Sequence, residues 1–269
     1  MTQTAPMTTG DATGADRVPV PPTQAQLDAF AAQGYLRWGP LLMPSEIEEL
    51  RVEYDRVFAK AESSGAYRNL SAATHLDAAQ ARAHPQQMLQ ITQMCERSLP
   101  FRRLLYDERI LAVVRAIMGP SVLLFHDQAL YKRARTGGAV VWHQDNGYWR
   151  CAPANLVSCW LTLDDADRDN GAMQVVPGSH LAPQRHTTAA ESDALLAVPD
   201  PAPESVVVVD VPAGGCMFHH CQTLHYTAPN RTERPRRAFA IHYMPPGTRD
   251  RDGRVMRASW AHPVLSLEL

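Results

Sequence analysis

His143 and Asp145 stand two residues apart in the stretch Trp-His-Gln-Asp-Asn-Gly-Tyr-Trp, residues 142 to 149. If 140–145 is a strand, side chains two apart share a face, so an imidazole and a carboxylate converge. A second histidine from another strand would complete a 2-His-1-carboxylate facial triad, which leaves adjacent positions open on the metal. A metal needs such openings to bind a co-substrate and dioxygen together. In a chain with eleven histidines a His-x-Asp also arises by chance. The spacing therefore defines a hypothesis that its surroundings must support. By residue type alone, the third ligand is open among His180, His186, His219, His220, His225 and His242.

The elements that would carry these groups change character near residue 120. Before it, capping-box patterns at Thr23/Gln26 and Ser45/Glu48 predict helix starts. Ile47, Leu50, Tyr54, Val57 and Phe58 recur at three- and four-residue steps, the apolar stripe of a helix that packs on something larger. A further helix over 108–118 is ended by Gly119-Pro120. Helices are thus expected over about 23–118. Beyond Pro120, short runs rich in Val, Leu, Phe and Trp alternate with turn clusters. They predict strands at 121–132, 139–145, 156–163, 172–176, 205–211, 215–219 and 236–244. Asn170-Gly171 signals a tight turn, and 181–204, rich in Ala, Pro, Asp and Glu, reads as a long surface loop or lid. The expectation is a disordered tail over 1–22 and one domain over 23–269. That domain is mainly β with flanking helices, its β core spanning about 120–246.

Three blocks in order, WHQD, WLTLDDADRDNGAMQVVPGSH and LHYTAPNRTERPRRA, resemble successive signatures of the phytanoyl-CoA dioxygenase family of non-haem iron, 2-oxoglutarate-dependent oxygenases. The resemblance spans about residues 24 to 246 and implies a double-stranded β-helix, the jelly-roll core of cupin-like proteins. It implies iron(II) ligation by His143, Asp145 and His225, with 2-oxoglutarate and dioxygen as co-substrates. Arg236, eleven residues after the distal histidine, matches the arginine that pairs with the far carboxylate of 2-oxoglutarate. A guanidinium fork suits that bidentate role as lysine does not. Arg237 would face the other side of the strand. Thr227 matches a hydroxyl position against the same carboxylate; Gln128 and Trp160, with Lys132 beside them, match residues lining the co-substrate pocket. Each has a blander reading, Trp160 as core and Arg236 as a surface charge. His219 and His220 would lie on opposite faces of a strand, and with His126 they carry no assignment.

The resemblance implies hydroxylation of an unactivated C–H bond with conversion of 2-oxoglutarate to succinate, or a related desaturation or ring closure. Relatives that halogenate carry a small residue where Asp145 stands, so halogenation is disfavoured. Tyr148, Trp149 and the 181–204 segment would shape the substrate pocket, and the expected substrate is a small organic metabolite. Two other classes compete: a zinc hydrolase with the same three ligands, and a cupin-like binding protein without catalysis. Neither has a use for Arg236.

Composition closes other routes. With 45% hydrophobic and 20% charged residues, the chain is that of an ordinary globular protein. A net charge of −2 gives no footprint for nucleic acid, and the Arg231–Arg237 stretch is too short to make one. Five cysteines, odd in number and without a C-x-x-C pair, read as reduced thiols. The first 22 residues lack an apolar core for a signal peptide or anchor, and no apolar run reaches the roughly 18 residues of a membrane span. The expected setting is cytoplasmic, with no obligate protein partner.

Overall fold

From Arg236 to Met244 the sequence alternates between two environments, and that alternation organises the molecule. Phe239, Ile241 and Tyr243 point to one side, where they join a helix-covered core; Arg236, Ala238, Ala240 and His242 point to the other. In the computed structural model, which describes residues 3–4, 19–190, 192–259 and 264–266, this segment is β14 (Arg236–Met244), counting strands in chain order. It lies between β5 (Val122–Lys132) and β7 (Val157–Thr162), antiparallel to both. Beyond β7 come β12 (Cys216–His220) and β2 (Tyr35–Trp38). Beyond β5 come β4 (Met88–Thr92) and β3 (Arg68–Asn69), with β15 (Val264–Ser266) also on β5.

A second sheet runs in the order β1 (Gln3–Thr4), β11 (Val207–Val209), β8 (Met173–Val175), β13 (His225–Thr227), β6 (Val140–His143). Four strands from each sheet, β12-β7-β14-β5 against β11-β8-β13-β6, make the expected jelly roll. Because both faces of the larger sheet are covered, its central strands are largely buried, and β7 is buried at every position. Between the sheets most side chains are small or medium, Ala238, Ala240, Met217, Val175 and Val208 among them, around the large rings of Trp160 and Tyr35. Outside, Leu50, Tyr54 and Phe58 of α2 (Pro44–Ser64) pack with Phe101 of α4 (Leu99–Leu104) and Val113 of α5 (Glu108–Met118) onto Phe239 and Phe218. Tyr54 stacks on Phe58 at 4.7 Å, and Phe101 meets Phe239 edge-on at 5.0 Å. Burying each such ring stabilises the fold by about 1.5–3 kcal/mol.

The Thr23/Gln26 capping box holds at the start of α1 (Gln24–Gln33): Gln26 Oε1 accepts from the Thr23 N–H at 2.8 Å. The second helix starts earlier than Ser45/Glu48 implies. Met43 is its N-cap, Pro44 occupies the first turn, and Glu46 accepts from the Met43 N–H at 2.8 Å. Proline's fixed φ suits that first turn, and it moves the start ahead of the serine. The region read as helical over 23–118 also contains β2, β3 and β4, and includes α3 (Ala78–Ala83). These short strands are edges of the large sheet, recruited by their neighbours and without a periodic signature of their own.

Within the 1–22 stretch read as a disordered tail, Gln3 and Thr4 pair parallel with Val207 and Val208, and most of the remainder lies outside the described residues. The 181–204 segment is not a plain loop: it holds a two-stranded ribbon, β9 (Thr187–Thr188) with β10 (Leu196–Ala197). At Asn170-Gly171 the Asn170 amide bonds to Asp165 O and accepts from Asp167 N–H, while Gly171, at φ 93°, leaves no room for a Cβ beside Ala228 O. No helix among the described residues is long and apolar enough to cross a membrane. All five cysteines are buried and free.

Candidate metal centre and active-site chamber

His143 ends β6 and His225 begins β13, and the antiparallel register places them directly opposite one another. Their rings lie 4.1 Å apart between centroids. Each ring is oriented by its own backbone: His143 Nδ1 meets Val141 O at 2.8 Å, and His225 Nδ1 meets Thr223 O at 2.9 Å. A carbonyl only accepts, so both Nδ1 atoms carry the proton and both Nε2 lone pairs face inward, the tautomer a metal ligand needs. Asp145 joins them by a route different from strand alternation. The strand stops at His143, the chain turns, and Asp145 lies in the right-handed helical region ahead of α6 (Asn146–Trp149). Its Oδ1 comes within 3.6 Å of His143 Nε2 and 3.9 Å of His225 Nε2. The three ligand atoms lie within 4.8 Å of one another, all on buried residues.

The second oxygen of Asp145 is already held. His219 Nε2 donates to Oδ2 at 3.2 Å, and Ser158 Oγ reaches it at 3.4 Å. Oδ1 is thereby left for a metal. Burial pushes the Asp145 pKa up, but the neighbouring His225, with His143 and His219, brings it well below the carboxylate range. Burial, then His143, pushes His225 well down. An ionised carboxylate and neutral imidazole are the protonation states that bind a divalent cation.

Beside the triad a chamber of about 330 Å³ opens between the sheets. Its deep end carries Arg236, whose side chain shares the inner face of β14 with Ala238 and Ala240 and lies over the Trp160 ring, 5.3 Å from the centroid. The guanidinium is buried, donates from one terminal nitrogen to Leu130 O at 3.1 Å, and has no carboxylate partner among the described residues. Burial brings its pKa down to about 10. Arg236 Nε and Thr227 Oγ1, on residues that line the chamber, are buried polar atoms without a hydrogen-bond partner among the described residues. Such groups are costly unless something satisfies them. Lys132 is also fully buried, but its ammonium is spent on the carbonyls of Thr227 and Ala228, so it props the strand behind Thr227. Arg237 faces outward, forked onto Asp55 and Asp164.

The mouth is assembled from other parts of the chain. Trp149 lies edge-on against His242 at 4.8 Å, and Tyr148 against His143 at 5.7 Å. The Leu196 N–H donates to Tyr148 Oη at 2.6 Å, fastening the 187–197 ribbon over the chamber, where Ala194 and Leu195 contribute to the wall. Arg68, from β3, is the exposed cation at the rim. Gln128 lines the chamber too, with its amide engaged by Gln90 and His242.

The remaining ligand candidates are otherwise occupied. His180 donates to Ala31 O, His186 accepts from the Gln144 N–H, and His220, facing away from the chamber, donates to Ala154 O. His126 stacks on His242. Sequence reasoning missed Ser158, Gln90 and Gln144. The last points away from the metal ligands on either side and ties the turn to Gln222 O, Ala182 O and Gln184 N. Only its place between two ligands could have marked it.

Comparison with known proteins agrees with this geometry. The family profile described as phytanoyl-CoA dioxygenase matches residues 30–238. A mouse phytanoyl-CoA dioxygenase domain-containing protein 1 is 27% identical over 152 residues, 54% of this chain and 52% of that one. An ectoine dioxygenase from Halomonas elongata is 27% identical over 242 residues, 82% of this chain and 70% of its own. The chain thus spans about half the length of several curated relatives it matches. Among solved structures, the α-ketoglutarate-dependent carbocyclase SnoK from nogalamycin biosynthesis superposes with a TM-score of 0.70 at 23% identity, covering 92% of this chain and 94% of SnoK. EvdO2 from Micromonospora carbonacea, complexed with 2-oxoglutarate, superposes at 0.67 and 26% identity, covering 85% and 93%.

Proposed function

The chain belongs to the phytanoyl-CoA dioxygenase family, and from that premise we propose that it is an iron(II)- and 2-oxoglutarate-dependent oxygenase hydroxylating a C–H bond of a small organic metabolite. The observation that carries this reading is the pair of unsatisfied buried polar atoms, Arg236 Nε and Thr227 Oγ1, in the same chamber as the triad. A zinc hydrolase has no use for a buried, carboxylate-free guanidinium. A dicarboxylate co-substrate supplies the partner it lacks.

In this reading His143, Asp145 and His225 hold iron(II), and Arg236 with Thr227 holds the far carboxylate of 2-oxoglutarate over Trp160. The bound iron and 2-oxoglutarate supply the oxidising chemistry, consuming dioxygen and releasing succinate and carbon dioxide. The protein supplies position and exclusion of water. Trp160, Met173 and Ala240 shape a dry slot in which the guanidinium acts at full strength. Asp145, held through Oδ2, would offer Oδ1 to the metal. Trp149, Tyr148 and the ribbon would shape the space in which the substrate sits beside the triad. The relatives' names, an ectoine dioxygenase and a carbocyclase from nogalamycin biosynthesis, support a small metabolite as substrate.

The test is a screen of small-molecule libraries, natural-product intermediates included, for compounds that stimulate succinate release from protein loaded with iron(II) and 2-oxoglutarate. Stimulation by at least one compound class, absent with zinc(II), is the expected result. Hydrolysis with zinc(II) and no response to 2-oxoglutarate would overturn the reading.

A further inference from the structure

Four polar side chains cross the inner face of the large sheet in an unbroken line. Gln90 on β4 donates from Nε2 to Gln128 Oε1 on β5 at 2.5 Å, and Gln128 Nε2 meets His242 Nε2 on β14 at 2.9 Å. His242 Nδ1 meets Ser158 Oγ on β7 at 2.7 Å, and Ser158 Oγ reaches Asp145 Oδ2 at 3.4 Å. The line steps diagonally from β4 to β5 and from β5 to β14, then directly across from His242 to Ser158, its register partner. It leaves the sheet only to touch the carboxylate at the end of β6.

The chemistry of these groups gives the line a direction. Ionised Asp145 only accepts, so Ser158 must give it the hydroxyl proton and accept from His242 Nδ1–H. A neutral imidazole protonated on Nδ1 accepts at Nε2, so Gln128 presents its NH₂ there and its carbonyl to the Gln90 NH₂. Every donor then points toward Asp145, and Gln90 Oε1 is left as a buried acceptor without a partner among the described residues, on the chamber wall. One other arrangement satisfies the same distances: both amides turned over, His242 protonated on Nε2, and Ser158 donating to His242. In that arrangement Asp145 loses the serine bond.

We propose that Gln90, Gln128, His242 and Ser158 form a directional hydrogen-bond relay that positions Asp145 Oδ2, and that its open end, Gln90 Oε1, receives a hydroxyl or N–H of the substrate. These are positioning residues: they act on the metal site through Asp145. A substrate donor at Gln90 Oε1 favours the arrangement in which Ser158 holds Asp145, so chamber occupancy and ligand geometry are coupled. The substrate half rests on the proposed oxygenase function. The positioning half requires only that His143, Asp145 and His225 bind a divalent cation.

The deciding variant is Gln128→Glu, which keeps the size of the side chain and removes the NH₂. A carboxylate there accepts from His242 Nε2–H, which forces the opposite tautomer and withdraws the serine proton from Asp145. A new negative charge by itself would tighten cation binding, so weakening reads the relay and not the charge. Anaerobic titration with cobalt(II), followed by its visible ligand-field spectrum, should show Ser158→Ala about tenfold weaker than wild type, the lower range for loss of an outer partner. Gln128→Glu should be weaker by about threefold or more, with its spectrum displaced in the same sense as Ser158→Ala. Gln90→Leu, which leaves Gln128 free to turn over, should fall between wild type and Gln128→Glu. If Gln128→Glu binds cobalt(II) as tightly as wild type with an unchanged spectrum, while Ser158→Ala does not, the relay ends at Ser158 and the proposal is wrong. Should Gln128→Glu not fold, Gln128→Met breaks the same link without charge and must also shift the spectrum. For any compound that stimulates succinate release, Gln90→Leu should raise its KM at least tenfold and leave that of 2-oxoglutarate unchanged; an unchanged KM removes the substrate half alone.

Discussion

At its deep end the chamber is three strands from the two sheets: Arg236 over Trp160, with Thr227 beside them. At its mouth it is a patchwork: Arg68 and Gln90 from the edge of the large sheet, Tyr148 and Trp149 from the short helix after Asp145, and Ala194 and Leu195 from the ribbon. Jelly-roll strands fix the deep end, and a one-residue slip of β14 would exchange Arg236 for Arg237. The mouth depends on elements that could be lengthened or replaced without disturbing the two sheets. The contrast teaches where generality and particularity lie: the deep end suits a co-substrate shared by many enzymes, the mouth a substrate that differs among them.

The largest expected effect tests the junction of the two ends. His143→Ala or His225→Ala should abolish iron(II) binding and succinate release, a loss beyond the roughly 10–100-fold that removal of an outer partner brings. Anaerobic calorimetry with iron(II) measures it, and full occupancy in either variant would mean the three residues are not the ligands. Next comes the deep end alone. Arg236→Ala should weaken 2-oxoglutarate binding by more than tenfold, in line with about 2–5 kcal/mol for breaking a buried charge pair. Lysine should restore only part, and iron binding should hold. Arg237→Ala should leave 2-oxoglutarate affinity intact and lower the melting temperature, because its partners are Asp55 and Asp164. If the two variants exchange behaviours, the assignment of faces on β14 fails.

At the mouth, Trp149→Ala should change which compounds stimulate succinate release while 2-oxoglutarate affinity stays within about twofold, as expected for sites that do not share partners. A large loss of co-substrate affinity there would erase the distinction between the ends. The smallest effect belongs to Tyr148→Phe. Removing one hydroxyl that bonds Leu196 should cost about 1 kcal/mol, read as roughly fivefold faster hydrogen exchange in the ribbon with co-substrate binding unaltered.

The same contrast governs what the sequence could reveal. The jelly roll was legible because β5, β7 and β14 are runs rich in apolar residues between turn residues, and β14 was delimited to the residue. The strand carrying His225 was not resolved as a separate element, since three residues hold no periodicity. Asp145 and His143 were paired correctly through the wrong geometry: the expected strand ends at His143, and a helical turn brings the carboxylate round. Gln90 and Ser158 were invisible. One lies in a stretch read as helical and the other looks like ordinary strand filler; only three-dimensional pairing across four strands gives either a role.

Tyr148 is joined to Asp145 by three peptide units and to the ribbon by its hydroxyl. The cover of the chamber and the metal-binding turn are therefore one mechanical piece, like a latch cut from the same strip as the hinge. Lifting the ribbon must either break both hydrogen bonds that the Tyr148 hydroxyl shares with Leu196 or pull on the helix that begins at the carboxylate. Entry of a substrate and the setting of Asp145 are thereby linked through a phenol oxygen, on the side of the chamber away from Arg236.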